Sequence, residues 1–194
     1  NQFSNLIHEV ESRWDLVETA WNLKINSNLL EVKIDDNLQN LFIENSFMRR
    51  RDITSARASL NGYQKGKCFY SFQDITIIPK SENICAIDHF FPHVHKTKLN
   101  DNGANVNGIW NLVLADKRVN LDKSSKIPEL KHLERLYKRN EFYIASKHPL
   151  GETIVNQTGK SSADRRNFLQ KQYNLSLSLS IQKWKTKIEL RPLF

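Results

Sequence analysis

Asp88 and His89 close a short apolar run in "CAIDHFFPHVHK" (85–96); Asn111 stands 23 residues beyond Asp88, and Asn120 nine further on. These residue types suit hydrolysis of a phosphodiester, which needs a deprotonated water, neutralised charge at the phosphate and help for the leaving oxygen. A neutral imidazole can take the proton near pH 7. A hard divalent cation on one carboxylate and one amide oxygen, with phosphate oxygens and waters completing its shell, can supply the rest. Asp88 and Asn120 are oxygen donors of the kind Mg²⁺ takes, and His89 is the base. His93 and His95 share a face if the segment is extended. A histidine metal cluster is therefore the competing reading, ranked below a loop or substrate-contact role for that pair.

Positioning these groups requires a strand that ends at His89, a loop, and a short helix that carries Asn120. "GKCFYSFQDITIIP" (66–79) and "NICAIDHFFP" (83–92) are rich in aromatic and β-branched residues and flank "PKSEN", which predicts two strands in a hairpin. The Asn- and Gly-rich "HKTKLNDNGANVNG" predicts a loop, "WNLVL" a core strand or turn, and residues 116–125 a short helix ahead of Pro128. A hairpin against that helix would bring Asp88 and Asn120 together.

Outside the centre, apolar residues at three- and four-residue spacings over 3–22 predict an amphipathic helix with Trp14 and Trp21 on its buried side. "LLEVKID" (29–35) reads as a short strand or extended link, and 35–64 as one or two helices that turn basic at Arg49, Arg50, Arg51 and Arg57. Those arginines read first as a solvated face and second as phosphate contacts. Pro128 marks the start of a helix with Leu130, Leu133, Leu136 and Tyr137 on its apolar side. Ser161 or Ser162 is an N-cap for another helix, while "LSLSLS" inside that segment alternates as a strand does. Lys183, Lys185 and Lys187 divide evenly between a solvated edge and a contact to DNA.

"IDHFFP", "NLVLADKRVN" and "NLDKSSKIP" resemble the ββα-metal core (His-Me finger) of HNH endonucleases, including the HNH domain of CRISPR RNA-guided nucleases. "GYQKGKCFYS" is similar to the lead-in strand of bacterial HNH proteins from restriction and defence systems. The resemblance covers 62–128 and continues more weakly over 139–159. It implies an α+β protein, with an N-terminal helical region (1–61), the nuclease core (62–128) and a basic, mainly helical C-terminal region (129–194). It implies His89 as general base, Asp88 and Asn120 as ligands of Mg²⁺ or Mn²⁺, and Asn111 as the residue that ties the loop to the backbone and aims His89. Lys117, Arg118, Lys123 and Lys126 become contacts to the DNA backbone, which fix register without reading sequence. Many bacterial relatives hold a structural zinc on two cysteine pairs; here those positions read Cys68, Ser71, Asp116 and Val119, so that zinc is not expected. Cys85 reads as core filler.

The implied activity is metal-dependent cleavage of DNA, in restriction or anti-phage defence and with other domains or subunits of a defence complex as possible partners. A catalytically inactive module that binds nucleic acid, and a ribonuclease or toxin-type nuclease, are the alternatives. Composition is compatible with all three. The 194 residues suit one compact domain with appendages, and no apolar run approaches the roughly 20 residues of a membrane helix. Residues 1–20 lack signal-peptide order, the first residue is not Met, as in a trimmed or C-terminal fragment, and two cysteines fit a reducing cytoplasm. Net charge runs from −2 over 1–60 through +3 over 61–128 to +7 over 129–194, which favours a polyanion on the central and C-terminal parts and no membrane partner.

Overall fold

The computed structural model describes residues 2–22, 33–35, 40–44, 50–180 and 182–191. It is an α+β protein in which, among the described residues, helices gather around three small sheets. Helix α1 (Gln2–Asn22) is followed by β1 (Lys33–Asp35), β2 (Asn40–Glu44) and β3 (Arg50–Ser55), which form an antiparallel sheet in the order β1-β2-β3. Helix α2 (Ala56–Gln64) continues directly from β3 and packs against α1. Among the described residues of 35–64 the helical reading therefore holds only for the last nine; 36–39 and 45–49 lie outside them. The apolar run Leu41–Phe42–Ile43 is too short for periodicity to choose between helix and strand, and cross-strand pairing decides it. Arg49 lies outside the described residues, whereas Arg57 donates from Nε to the carbonyl of Cys85 at 2.8 Å.

The central sheet pairs β4 (Ala86–His89) with β5 (Leu112–Ala115), antiparallel, Asp88 opposite Val113 and His89 opposite Leu112. The expected hairpin between 66–79 and 83–92 does not form; the backbones of those segments pair only in the isolated bridge Thr76↔Ile84. The aromatic residues that suggested a strand, Phe69, Tyr70 and Phe72, are instead buried in a looped segment, which reverses at Phe72 with φ 59°. Gln64 takes the place of a neighbouring strand beside β5. Its Oε1 accepts from Leu114 N and its Nε2 donates to Leu114 O, both at 2.8 Å.

Between β4 and β5 the chain makes a 3₁₀ turn (His93–His95), helix α3 (Lys96–Asp101) and a second 3₁₀ turn (Ile109–Asn111). The stretch read as pure loop thus contains a helix, held to the core by one fully buried residue, Leu99, and stopped at Gly103 with φ 80°. Helix α4 (Lys117–Lys123) follows β5, capped by Asp116, whose Oδ1 accepts from Arg118 N at 2.8 Å and Val119 N at 3.2 Å. This N-cap satisfies two amide donors that have no partner within the helix.

The rest of the chain encloses this unit. Strand β6 (Ile127–Pro128) leads into α5 (Leu130–Ala145), α6 (Leu150–Thr158) and α7 (Ser162–Leu179), and β7 (Lys183–Trp184) returns to pair in parallel with β6. Ser161 and Asp164 form a capping box at the start of α7. "LSLSLS" is helical, because Leu169, Tyr173 and Ser176 place their buried side chains at i, i+4 and i+7. Trp184 and Thr186 are buried while Lys183, Lys185 and Lys187 are exposed. One apolar core runs from Leu16 through Phe69, Trp110, β5 and Leu136 to Trp184. The expected burial of Trp14 is overturned: Trp14 is 63% exposed, and Ser12 and Leu16 form the inward face of α1. The side chain of Trp21 lies outside the described residues. Among the described residues no helix is long and apolar enough to cross a membrane.

Candidate active site

Asp88, His89, Asn120 and Lys123 line one open pocket of about 270 Å³, together with Pro92, His93 and Ser124. β4 delivers the first pair. Adjacent strand residues point to opposite faces, so Asp88 is 7% exposed and turned inward while His89 is only partly covered. α4 delivers the second pair from one side, since residues three apart on a helix are neighbours.

The Asp88 carboxylate is held from two directions. Tyr70 donates its hydroxyl to Oδ2 at 2.6 Å, and the Lys123 ammonium lies 3.0 Å from Oδ2 and 3.1 Å from Oδ1. Lys123 also donates to the carbonyl of His89 at 2.8 Å and is fully buried. Burial, followed by the charge of Asp88, pushes the Tyr70 phenol well above its ordinary pKa, so Tyr70 remains a donor. Trp184 meets the Tyr70 ring edge-on at 5.1 Å, and Arg135 donates to the carbonyls of Phe69 and Tyr70 at 2.6 and 3.1 Å. The hydroxyl on Asp88 is thereby fixed from behind.

His89 is oriented by Asn107, whose Oδ1 lies 3.1 Å from Nε2. An amide oxygen only accepts, so the neutral imidazole donates from Nε2 and carries its lone pair on Nδ1. Asn111 is completely buried. Its Oδ1 accepts from Phe91 N at 2.8 Å, and its Nδ2 donates to the carbonyls of Phe91 and Val106 at 3.1 and 2.8 Å. One side chain thus ties the residues just after His89 to the end of the intervening loop. From α5, buried Arg139 donates to the carbonyls of Ile109 and Trp110 at 3.1 and 3.0 Å, and secures the turn that carries Asn111.

The other sequence candidates separate. His93 lies at the pocket edge, its ring T-shaped to His89 at 5.6 Å between centroids. His95 turns inward, 8% exposed, and burial lowers its pKa. Among the described residues no group of three or more His, Cys, Asp or Glu side chains converges as a metal cluster would. Lys117 and Arg118 line a different cleft of about 1000 Å³, bounded by 73–76, 81–83 and the C-terminal segment 184–188. Lys126 donates to the carbonyl of Asp122 at 3.1 Å. Cys68 Sγ accepts from Asp116 N at 3.3 Å, and burial pushes the Cys85 thiol up to about 11, which leaves it an unreactive core residue.

Sequence reasoning missed two residues of the site. Nothing local in "GKCFYSFQDITIIP" marks the Tyr70 hydroxyl as the partner of Asp88. Asn107 is one of five asparagines between 100 and 111, and only the folded loop distinguishes it.

No family model matches this chain, and no curated protein or solved structure matches it either.

Proposed function

We propose that the protein is a metal-dependent endonuclease of the HNH type that hydrolyses phosphodiester bonds of DNA. The observation that carries this reading is the convergence of Asp88 and His89 from β4 with Asn120 from α4 on one open pocket. His89 accepts a proton from the attacking water on Nδ1, while Asn107 holds the ring by Nε2. Asn111 keeps the loop after His89 in place, so the imidazole is presented in one orientation. By donor type, the Asp88 carboxylate and the Asn120 amide suit a hard divalent cation, and Lys123 is the resident cation that would have to share Asp88. Mg²⁺ or Mn²⁺ held there would neutralise charge at the phosphate and the leaving oxygen. The exposed Lys117 and Arg118 would meet DNA on the neighbouring cleft.

The test is cleavage of supercoiled plasmid with Mg²⁺ by the wild type and His89→Ala. Loss of a positioned general base costs about 10²- to 10⁴-fold in rate, and equal nicking by the two proteins would sink the assignment. One observation favours a second reading. The Lys123 ammonium already neutralises Asp88, as expected of a non-catalytic module that retains the fold and binds nucleic acid. That reading expects salt-dependent DNA binding with no cleavage by either protein.

A further inference from the structure

The described part of α1 carries apolar residues on two opposite faces, and only one is covered among the described residues. The inward face presents Ser12 and Leu16, 1% and 0% exposed. It approaches α2 so closely that a Cβ at Gly62 would lie 2.2 Å from Ser12 Oγ. On the outward face Ile7, Val10 and Trp14 are 41%, 54% and 63% exposed, and Leu6 beside them is 57% exposed. A patch of large apolar side chains in contiguous helical positions marks an interaction surface.

The spacing along this face is specific. Phe3, Ile7, Val10, Trp14, Val17 and Trp21 follow one another at steps of four, three, four, three and four residues. This is the a/d register of a heptad repeat across the length of the helix, with Ile7, Trp14 and Trp21 at a and Phe3, Val10 and Val17 at d. Such a seam is covered by another helix in the same register rather than by a flat surface. The flanking positions identify that helix. Arg13 occupies a g position and Glu18 the e position five residues on, the spacing at which g and e residues of two parallel strands meet. In an antiparallel pair the e rows, with Glu11 and Glu18, would face each other and repel. Arg13 already donates to Ser146 O and Glu9, which uses two of the five guanidinium N–H groups, and its side chain is still 26% exposed.

We infer that α1 pairs with α1 of a second copy in a parallel two-stranded coiled coil, so that the protein is a homodimer about a two-fold axis along this helix. Each Arg13 then faces Glu18 of the other copy, and the seam buries the outward Ile7, Val10 and Trp14. This pairing does not depend on the activity proposed for the pocket.

Sedimentation velocity of the full chain over a wide concentration range tests it. The expected mass is twice the 22.7 kDa of one chain, falling to one chain's mass in Val10→Glu. Val10 is 54% exposed, so the monomeric variant keeps the wild-type circular dichroism spectrum, while its thermal midpoint matches that of the wild type diluted until the dimer dissociates. An Ile7→Cys variant treated with oxidised glutathione reports orientation: in the parallel register residue 7 faces residue 7, giving a covalent dimer, while Cys68 and Cys85 stay buried. A wild type that is monomeric throughout overturns the inference and assigns the seam to a helix of another polypeptide. A dimer that persists in Val10→Glu, or one that leaves Ile7→Cys uncrosslinked, overturns it too.

Discussion

Lys123 is fully buried and bonded to both oxygens of Asp88 and to the carbonyl of His89. Its work is internal, with the ammonium compensating a carboxylate that water barely reaches. Replacing Lys123 by Met leaves Asp88 with only the Tyr70 hydroxyl, and an uncompensated buried charge of this kind costs about 3–5 kcal/mol. The unfolding free energy from urea titration is expected to fall by that amount in Lys123→Met, and the double variant Asp88→Asn/Lys123→Met to recover most of it because neither charge remains. Independent, additive losses in the double-mutant cycle would contradict the pairing. The placing of Asp88 and His89 at the end of a strand was legible in the sequence, because an apolar run leads into them. The partners that give the site its geometry, Tyr70 and Asn107, come from segments whose course depends on tertiary contacts, so spacing does not reveal them.

At the scale of elements, the site stands or falls with α4, a seven-residue helix too short to be stable alone. Its start is secured by the Asp116 carboxylate, and the first-turn geometry sets where Asn120 and Lys123 point. Asp116→Ala is expected to cost about 1 kcal/mol, and to lower plasmid cleavage more than it lowers the thermal midpoint, since the misplaced groups lie on the affected helix. The boundaries of α4, α5 and the Ser161 cap could be read because caps and prolines act within a few residues. The pairing of β4 with β5 could not, since Asp88 and Val113 are joined only after a 3₁₀ turn and α3 intervene. β1 falls within the segment read as a short strand or extended link, whereas β2 and β3 were read as helix; strands this short acquire their identity from neighbours. For α1 the periodicity was visible, but two apolar faces on one helix left the inward one ambiguous until Leu16 was seen to take it.

Across the whole molecule, two buried histidines held neutral sit where elements meet. Burial, with Arg13 adding to it, depresses His148 to about 3. Its Nδ1 accepts from Leu150 N at 3.2 Å and its Nε2 lies 3.3 Å from Ser12 Oγ, linking α6 to α1. Burial, with Arg135 and Lys131 reinforcing it and Glu189 opposing it, depresses His132 to about 3 as well, between the rings of Tyr70 and Trp184. A depressed folded pKa means the unfolded chain binds more protons below pH 6.5. Stability is therefore full above that pH and declines as pH falls toward 3. At pH 5.5 each histidine is expected to cost about 1.4 kcal/mol, and urea midpoints measured from pH 7.5 to 5 should fall accordingly, with a shallower slope in His132→Phe. The C-terminal segment that covers His132 has a further consequence, in time. Trp184 packs edge-on against the Tyr70 ring that holds Asp88 and bonds Asp122 at 2.8 Å, 62 positions back along the chain. At about 5–20 residues per second of synthesis, the ribosome presents Asp88, His89, Asn120 and Lys123 roughly 3–12 s before the tryptophan that braces them. The nascent protein passes through an interval in which every candidate catalytic group has been made and the ring that backs Tyr70 has not.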